Sequence, residues 1–255
     1  MAKGHSGKVA VITGAASGIG QAFAQRLAED GADIVIADVQ PAEDTVKLVQ
    51  AAGRRAMFRD CDVSSPDAVT SLAVDVKREF GGCDILVNNA GIFHLQPFEQ
   101  ISFADWRRVL SINLDSAFLT ASAFAPGMKA RGWGRIVNMA SSTFGTVTVG
   151  YAHYIASKGG MIGLTRALAS EFGAHGITVN AIAPTLTRTP GALNRGPRAG
   201  DSDMEQAFIN AAGRQAIHRG QVPADLVGAL SFLTGDDSAF ITGQTLYVNG
   251  GLVRA

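Results

Sequence analysis

Cysteine is scarce: 255 residues contain only Cys61 and Cys83. Two thiols build no disulfide framework, and their spacing suits no metal. An excess of charge of one sign is also missing, since Lys plus Arg and Asp plus Glu number 22 each. That balance gives no general field for nucleic acid or an anionic membrane, so neither is expected as a partner. No apolar run is long enough to span a bilayer, and residues 1–7 are short and polar, without the apolar core of a leader. The expected compartment is the cytoplasm, where two unpaired thiols stay reduced.

What is present is a regular alternation. Short apolar runs rich in β-branched residues at 9–13, 34–38, 56–60, 85–87, 135–140, 178–182 and 245–248 read as buried strands. Between them, helical spacing appears at 19–28, 43–52, 65–80, 104–131, 152–172, 205–217 and 224–234. Strands that are apolar on both faces, separated by helices, form a parallel sheet covered on both sides. Right-handed crossovers make it doubly wound. No composition break divides the chain, so the expected fold is a single α/β domain over 1–255, a Rossmann-type sandwich on a mainly parallel seven-stranded sheet.

The first strand runs into Thr13-Gly14-Ala15-Ala16-Ser17-Gly18-Ile19-Gly20, which opens the first helix. Glycines there let backbone approach a pyrophosphate, and the helix N-terminus aims its free N–H groups at it. Asp38 ends the second strand, 18 residues after Gly20. A carboxylate there accepts from the ribose hydroxyls of an adenosine and repels a 2′-phosphate. No Arg or Lys follows it, and Ala16 and Ser17 supply no cation, so NAD is expected over NADP.

Tyr154 and Lys158 stand at i and i+4 on one helix face. A phenol with an ordinary pKa of about 10 is a poor base near neutrality; a nearby ammonium stabilises the phenolate and lowers that value. Tyrosinate can then take an alcohol proton while hydride leaves. Ser141 ends the strand 13 residues before Tyr154 and can hold a substrate oxygen. Asn113 lies within 104–131, where a mid-helix Asn is a poor helix former without a special role.

The whole chain resembles the short-chain dehydrogenase/reductase family: the glycine loop, Asp62, Asn88-Asn89-Ala90-Gly91, Asn113, Ser141, Tyr154, Lys158 and Ile241-Thr242-Gly243-Gln244 follow its order and spacing. The resemblance implies that Tyr154 is the acid/base and that Lys158 also binds the nicotinamide ribose. It implies that Ser141 orients the substrate oxygen and that Asn113 holds a water linking Lys158 to solvent. Gly14, Ser17, Gly18, Ile19 and Gly20 would cradle the cofactor. Asp62 and Val63 would meet its adenine, Asn89, Ala90 and Gly91 would line its path, and Pro184, Thr187 and Thr189 would complete its site. Two positions depart from the family pattern. Thr185 follows Pro184 where glycine is usual, which puts the local backbone in question, and Asn249 precedes Gly250-Gly251 where Asp is usual.

By the same resemblance the substrate pocket draws on Phe93, Leu95, Ser141, Phe144, Tyr151 and Leu186, with His94, Val147, His153 and Leu193 nearby. These are mostly apolar or aromatic, which suits an uncharged, partly hydrophobic ketone or alcohol. Within the family, runs such as Gly132-Trp133-Gly134-Arg135-Ile136 and His153-Tyr154-Ile155 are similar to bacterial NAD-dependent 1-phenylethanol dehydrogenases. A sugar or polyol dehydrogenase and a 3-oxoacyl carrier-protein reductase are the alternatives; Asp38 speaks against the second, which usually takes NADP. A cofactor-sensing protein that kept the fold lacks a reason to keep the four catalytic residues. A sugar epimerase needs a larger C-terminal substrate region. The family also implies a homotetramer built on the 104–131 and 152–172 helices, which are rich in apolar and small residues such as Trp106, Phe118 and Phe124 in one and Gly159, Gly160 and Gly163 in the other. Finally, 184–203 is rich in Gly, Pro and Arg, without an apolar period, and is expected to act with the helix after it as a substrate lid over about 184–217.

Overall fold

The computed structural model describes residues 4–194 and 202–254. Seven strands form one parallel sheet: β1 (Val9–Thr13), β2 (Asp33–Asp38), β3 (Ala56–Asp60), β4 (Ile85–Asn88), β5 (Gly134–Met139), β6 (Ile177–Pro184) and β7 (Thr245–Val248). Their order is β3-β2-β1-β4-β5-β6-β7. The direction of winding reverses between β1 and β4, and the crevice beyond the carboxyl ends of those strands is where such sheets bind ligands.

Strand alternation splits the core into two layers. Val9 and Val11 of β1 join Val35, Leu86, Ile136 and Val179 on one face. Ala10 and Ile12 join Ile34, Ile36, Val87 and Ile182 on the other. The first face is covered by α3 (Pro66–Phe80), α5 (Ser116–Arg131) and α6 (Ala152–Phe172), which contribute Leu72, Phe124 and Phe172. The second is covered by α1 (Gly18–Glu29) and α9 (Ala224–Thr234), which contribute Phe23, Leu27 and Leu230. Between β2 and β3 lies α2 (Glu43–Ala51).

Three expectations change. The 104–131 region is not one helix: α4 (Phe103–Leu110) and α5 are joined by a single π turn, Ser111–Asp115, with Asn113 at its centre. A single π turn keeps the chain helical throughout, and α5 is apolar and small on several faces, so no change of apolar period marks the break. The segment after β6 is partly structured, since α7 (Pro190–Leu193) forms with Thr189 as its N-cap. The next helix, α8 (Met204–Gly213), is shorter than 205–217. It stops where the Gln215 side chain donates to the Ile217 and Arg219 carbonyls and turns the chain. The part of the expected lid over 195–201 lies outside the described residues, as do Arg195, Gly196, Pro197, Arg198 and Gly200 within it.

No helix among the described residues is long and apolar enough to cross a membrane. Nor do His, Cys, Asp and Glu cluster as a metal site among them.

Candidate active site

The carboxyl ends of β1, β4, β5 and β6 converge on one crevice, and each delivers part of the site. At the end of β1, Thr13 Oγ1 accepts from the backbone N–H groups of Asn89 and Ala90, both at 3.0 Å. The Asn89 amide donates to the carbonyls of Thr13 (3.0 Å) and Gly14 (2.8 Å). So the first residues after β4 are tied to the glycine loop. Two glycines are required by this join. Gly14 has φ +65°, and a Cβ there would fall 2.8 Å from Ala90 Cα; a Cβ on Gly20 would fall 2.6 Å from Asn89 Nδ2. Gly18, with φ +61°, instead faces Thr189 across the mouth of the crevice.

Ser17 is the N-cap of α1 in an extended conformation, and its side chain does not cap the helix. The first-turn N–H groups are thus left for an anion, as a pyrophosphate cradle demands. Asp38 closes the other side. Its Oδ2 accepts from Ala16 N–H (2.8 Å) and its Oδ1 from Gln40 N–H (3.0 Å). Each oxygen keeps a further lone pair for a hydroxyl. Asp62 is exposed, its Oδ1 taking the N–H and hydroxyl of Ser64, and Val63 beside it is buried. These residues fit a dinucleotide.

The catalytic face is built on α6. Tyr154 packs edge-on against Phe93 and Tyr151, with ring centroids 6.1 and 6.0 Å away. Lys158, one turn on, is buried, and its Nζ donates to the Met139 carbonyl at 2.7 Å. Burial lowers its pKa from 10.5 to about 8, because the charged form is stripped of water. Nζ stands 5.7 Å from the centre of the Tyr154 ring, close enough for its charge to favour the phenolate.

Ser141 follows β5. Its Oγ accepts from the Thr143 N–H (3.2 Å) and hydroxyl (2.9 Å), which leaves its own proton to donate. Asn113 is fully buried. Its amide pairs with both polar groups of the Ile92 backbone at 2.8 Å and donates to Ser157 Oγ at 3.1 Å. Ser157 in turn donates to the Tyr154 carbonyl. Gly91 lies directly over this joint: a Cβ there would meet Asn113 Oδ1 at 3.2 Å and Lys158 Nζ at 3.6 Å.

The Pro184-Thr185 departure has a structural answer. No described residue other than glycine has positive φ, so Thr185 needs no glycine. Its N–H is held by Gln221 Oε1 (3.0 Å), which also accepts from the Thr187 hydroxyl (2.8 Å), while Gln221 Nε2 donates to the Val248 carbonyl. Asn249, the other departure, accepts the Gly251 N–H and donates to the Val253 carbonyl, holding the final turn.

A cavity of about 480 Å³ opens before Tyr154. Phe93, Ser141, Tyr151, Tyr154 and Leu186 line it together with Pro184 and Thr187, and Ile19 and Thr189 mark the end nearest the glycine loop. Two residues expected in the pocket lie elsewhere. Leu95 borders a neighbouring cavity with His94 and His153. Phe144 lays its ring against the bare backbone of Gly159, where a Cβ would come within 2.7 Å of it. Both stand in segments that supply the site, but their side chains turn away from it. Thr143, Ser157, Gln221 and Arg214 are additional members. Thr143, two residues after Ser141, carried a local signal; Ser157 meets Asn113, and Gln221 meets Thr185 and Thr187, only through the fold, which also brings Arg214 to the cavity.

The family then follows from the whole chain. Residues 14–253 match a family model described as enoyl-(acyl carrier protein) reductase. The chain is 39% identical to cis-4-hydroxycyclohexanecarboxylate dehydrogenase of Sinomonas cyclohexanicum, over 98% of both chains. It is likewise 39% identical to D-threitol dehydrogenase of Mycolicibacterium smegmatis, over 96% of this chain and 92% of the other. A crystal structure of a short-chain type dehydrogenase/reductase from Mycobacterium marinum superposes with a TM-score of 0.88 at 28% identity, covering 100% of this chain and 98% of that one.

The chain belongs to the short-chain dehydrogenase/reductase family. It is an oxidoreductase of that family, acting on a CH–OH group with a nicotinamide cofactor.

Proposed function

We propose that the protein interconverts a secondary alcohol and a ketone with NAD(H), on a substrate with a hydrophobic or aromatic body. The observation that carries this reading is that Tyr154 and Ser141 line one cavity together with Ile19 of the glycine loop, while Lys158 is buried with its Nζ 5.7 Å from the centre of the Tyr154 ring. When bound, the nicotinamide accepts or returns hydride. Gly14, Gly18, Gly20 and the open end of α1 would hold its diphosphate. Asp38 would take the adenosine ribose hydroxyls, with Asp62 and Val63 at the adenine and Thr187 and Thr189 at the nicotinamide end.

In the oxidative direction Tyr154 takes the hydroxyl proton, and Lys158 as ammonium lowers the cost of the phenolate. Ser141, oriented by Thr143, donates to the substrate oxygen and fixes it before Tyr154. Asn113 and Ser157 act at one remove: they lock the Ile92 backbone to the catalytic turn of α6. A water carried at Asn113 would have to use groups left over from these bonds, because both amide hydrogens already have acceptors.

Phe93, Tyr151 and Leu186 supply the apolar wall. Relatives named for a polyol and for a hydroxycyclohexane acid show that neighbouring chains handle ring and chain alcohols alike. Residues from Pro184 to Ala192 and from Ala207 to Ala211 contribute to the cavity lining, and we read this region as the lid of a single-domain enzyme. We further propose a cytoplasmic homotetramer. A panel of secondary alcohols and ketones, assayed with NAD and NADP, tests the reading. Turnover of secondary alcohols with a clear NAD preference supports it, and no hydride transfer to either cofactor contradicts it.

A further inference from the structure

The lining of the cavity is not wholly apolar. α8 turns one face to the cavity, and its lining residues are Ala207, Asn210, Ala211 and Arg214, spaced at three and four. The two alanines leave room. Asn210 and, at the C-cap, Arg214 place polar groups at the far end of the stripe. Arg214 is the one charged residue among the described lining residues.

Its neighbours show what an arginine here does when it serves the fold. Arg188 pairs with Glu205 at 2.8 Å and stacks 4.4 Å from the centre of the Phe208 ring, fastening α8 to the segment after β6. Arg219 pairs with Asp225 at 2.6 Å. Among the described residues no carboxylate forms an ion pair with Arg214. Arg214 is exposed and lines the cavity, and with no anion beside it among the described residues its five donors are matched by a carboxylate on the ligand.

The position separates this anion from the cofactor. The backbone after Arg214 is tied to the chain's end: Ile217 N–H donates to the Gly250 carbonyl, and Gln215 and Ala216 abut Gly250 and Gly251. Leu252 completes the lining on that side. The glycine loop and Thr189, where a diphosphate belongs, are met at the Ile19 end.

We propose that Arg214 is a specificity residue that binds a carboxylate on the substrate, so that the preferred substrate is a hydroxy acid or oxo acid: a secondary alcohol or ketone carried on an apolar body that ends in an acid. This rests on the alcohol–ketone reading above. It replaces only the expectation that the substrate is uncharged.

The experiment uses two alcohols that differ by one charge, para-(1-hydroxyethyl)benzoate and its methyl ester, with saturating NAD. Steady-state kinetics are compared for the native enzyme, Arg214→Met and Arg214→Lys. A charge-assisted bidentate contact is worth about tenfold or more. The native enzyme is expected to favour the acid by about that factor in kcat/KM. Arg214→Met should erase the preference through KM, and Arg214→Lys should restore part of it. The ratio of acid to ester is the readout, so a general loss of fold or chemistry does not imitate the result. Calorimetric binding of para-acetylbenzoate to the enzyme–NADH complex gives the same comparison without turnover. Tighter binding to the native complex than to Arg214→Met supports the assignment even if neither alcohol is oxidised, an outcome that would count only against the alcohol–ketone reading. Equal binding of the acid by both proteins, or an equal loss on acid and ester, overturns it. A weaker NADH affinity in Arg214→Met with the acid-to-ester ratio unchanged assigns the arginine to the cofactor and overturns it as well.

Discussion

Lys158 Nζ donates to the Met139 carbonyl at 2.7 Å, so the buried ammonium of α6 is anchored to the end of β5. The contact orients Lys158 toward the Tyr154 side of the crevice, but it does not replace the water lost on burial.

That imbalance predicts a trade of stability for chemistry. Burial lowers the Lys158 pKa from 10.5 to about 8. Between those values the unfolded chain binds more protons than the folded one, so this group makes stability rise with pH across that window. Below about 8 the destabilisation is fully present, on the order of 3 kcal/mol. Lys158→Met removes it at neutral pH, less about 1 kcal/mol for the lost bond to Met139. The variant should lose activity and yet melt several degrees higher, at about 2–4 °C per kcal/mol for a chain of this size. Thermal melts of both proteins at pH 7 and pH 10 check it: the variant's advantage should shrink at the higher pH.

Asp38 predicts cofactor choice with a complication visible only in the fold. Because its Oδ2 also holds the Ala16 N–H, Asp38→Ala loosens the glycine loop as well as losing the ribose. Asp38→Asn keeps one acceptor and loses the charge. Pairing either change with arginine at the exposed Val39 should raise the KM for NAD about tenfold or more and improve NADP. Comparable kcat/KM for both cofactors in the native enzyme would contradict the assignment.

Much of this site was legible in the sequence, and the reasons can be stated residue by residue. β1, β3 and β7 have the expected bounds; β1 is a continuous apolar run stopped by Gly14, and β3 and β7 are short runs with aromatic or β-branched residues that end at Asp60 and before Asn249. α6 likewise runs over the expected 152–172, which brought Tyr154 and Lys158 to one face. The π turn at Asn113 was hidden, since the chain stays helical through it and α5 beyond it has no one-sided apolar period to break. Asn113 itself, a poor helix former, was the trace it left. Gln221 and Arg214 were invisible because their meaning lies in residues remote in sequence: Thr185 is 36 positions from Gln221. Leu95 and Phe144 were expected at the pocket because their segments reach it. Side-chain direction depends on packing that segment position does not reveal.

Asn113 predicts a positioning effect. Asn113→Ala removes the bonds that lock Ile92 to Ser157, and the Ile92 N–H and carbonyl lose their buried partners. The expected result is a loss of kcat of about tenfold or more with a destabilisation of 1–3 kcal/mol. Asn113→Asp, which retains one acceptor for the Ile92 N–H, should lose less stability. Denaturant unfolding and steady-state rates separate the two effects.

Assembly can be tested on α5. Phe124 is buried within the subunit, whereas Phe118 is 58% exposed. On α6, Gly159 and Gly160 are filled by Phe144 and Leu114, but Gly163 has nothing beside it. If these helices form the subunit contact, Phe118→Glu should place a charge in an apolar interface and yield smaller species in light scattering. A native mass equal to one chain at micromolar concentration contradicts the tetramer.

The central claim is that Tyr154 carries the proton. Tyr154→Phe keeps the ring between Phe93 and Tyr151 and removes only the hydroxyl. The decisive measurement is the rate of NADH formation by this variant on the best secondary alcohol, set beside its NADH affinity from a fluorescence titration. The account predicts a fall in kcat of at least about 10²-fold with NADH affinity preserved. Most of the native rate surviving in Tyr154→Phe would contradict it.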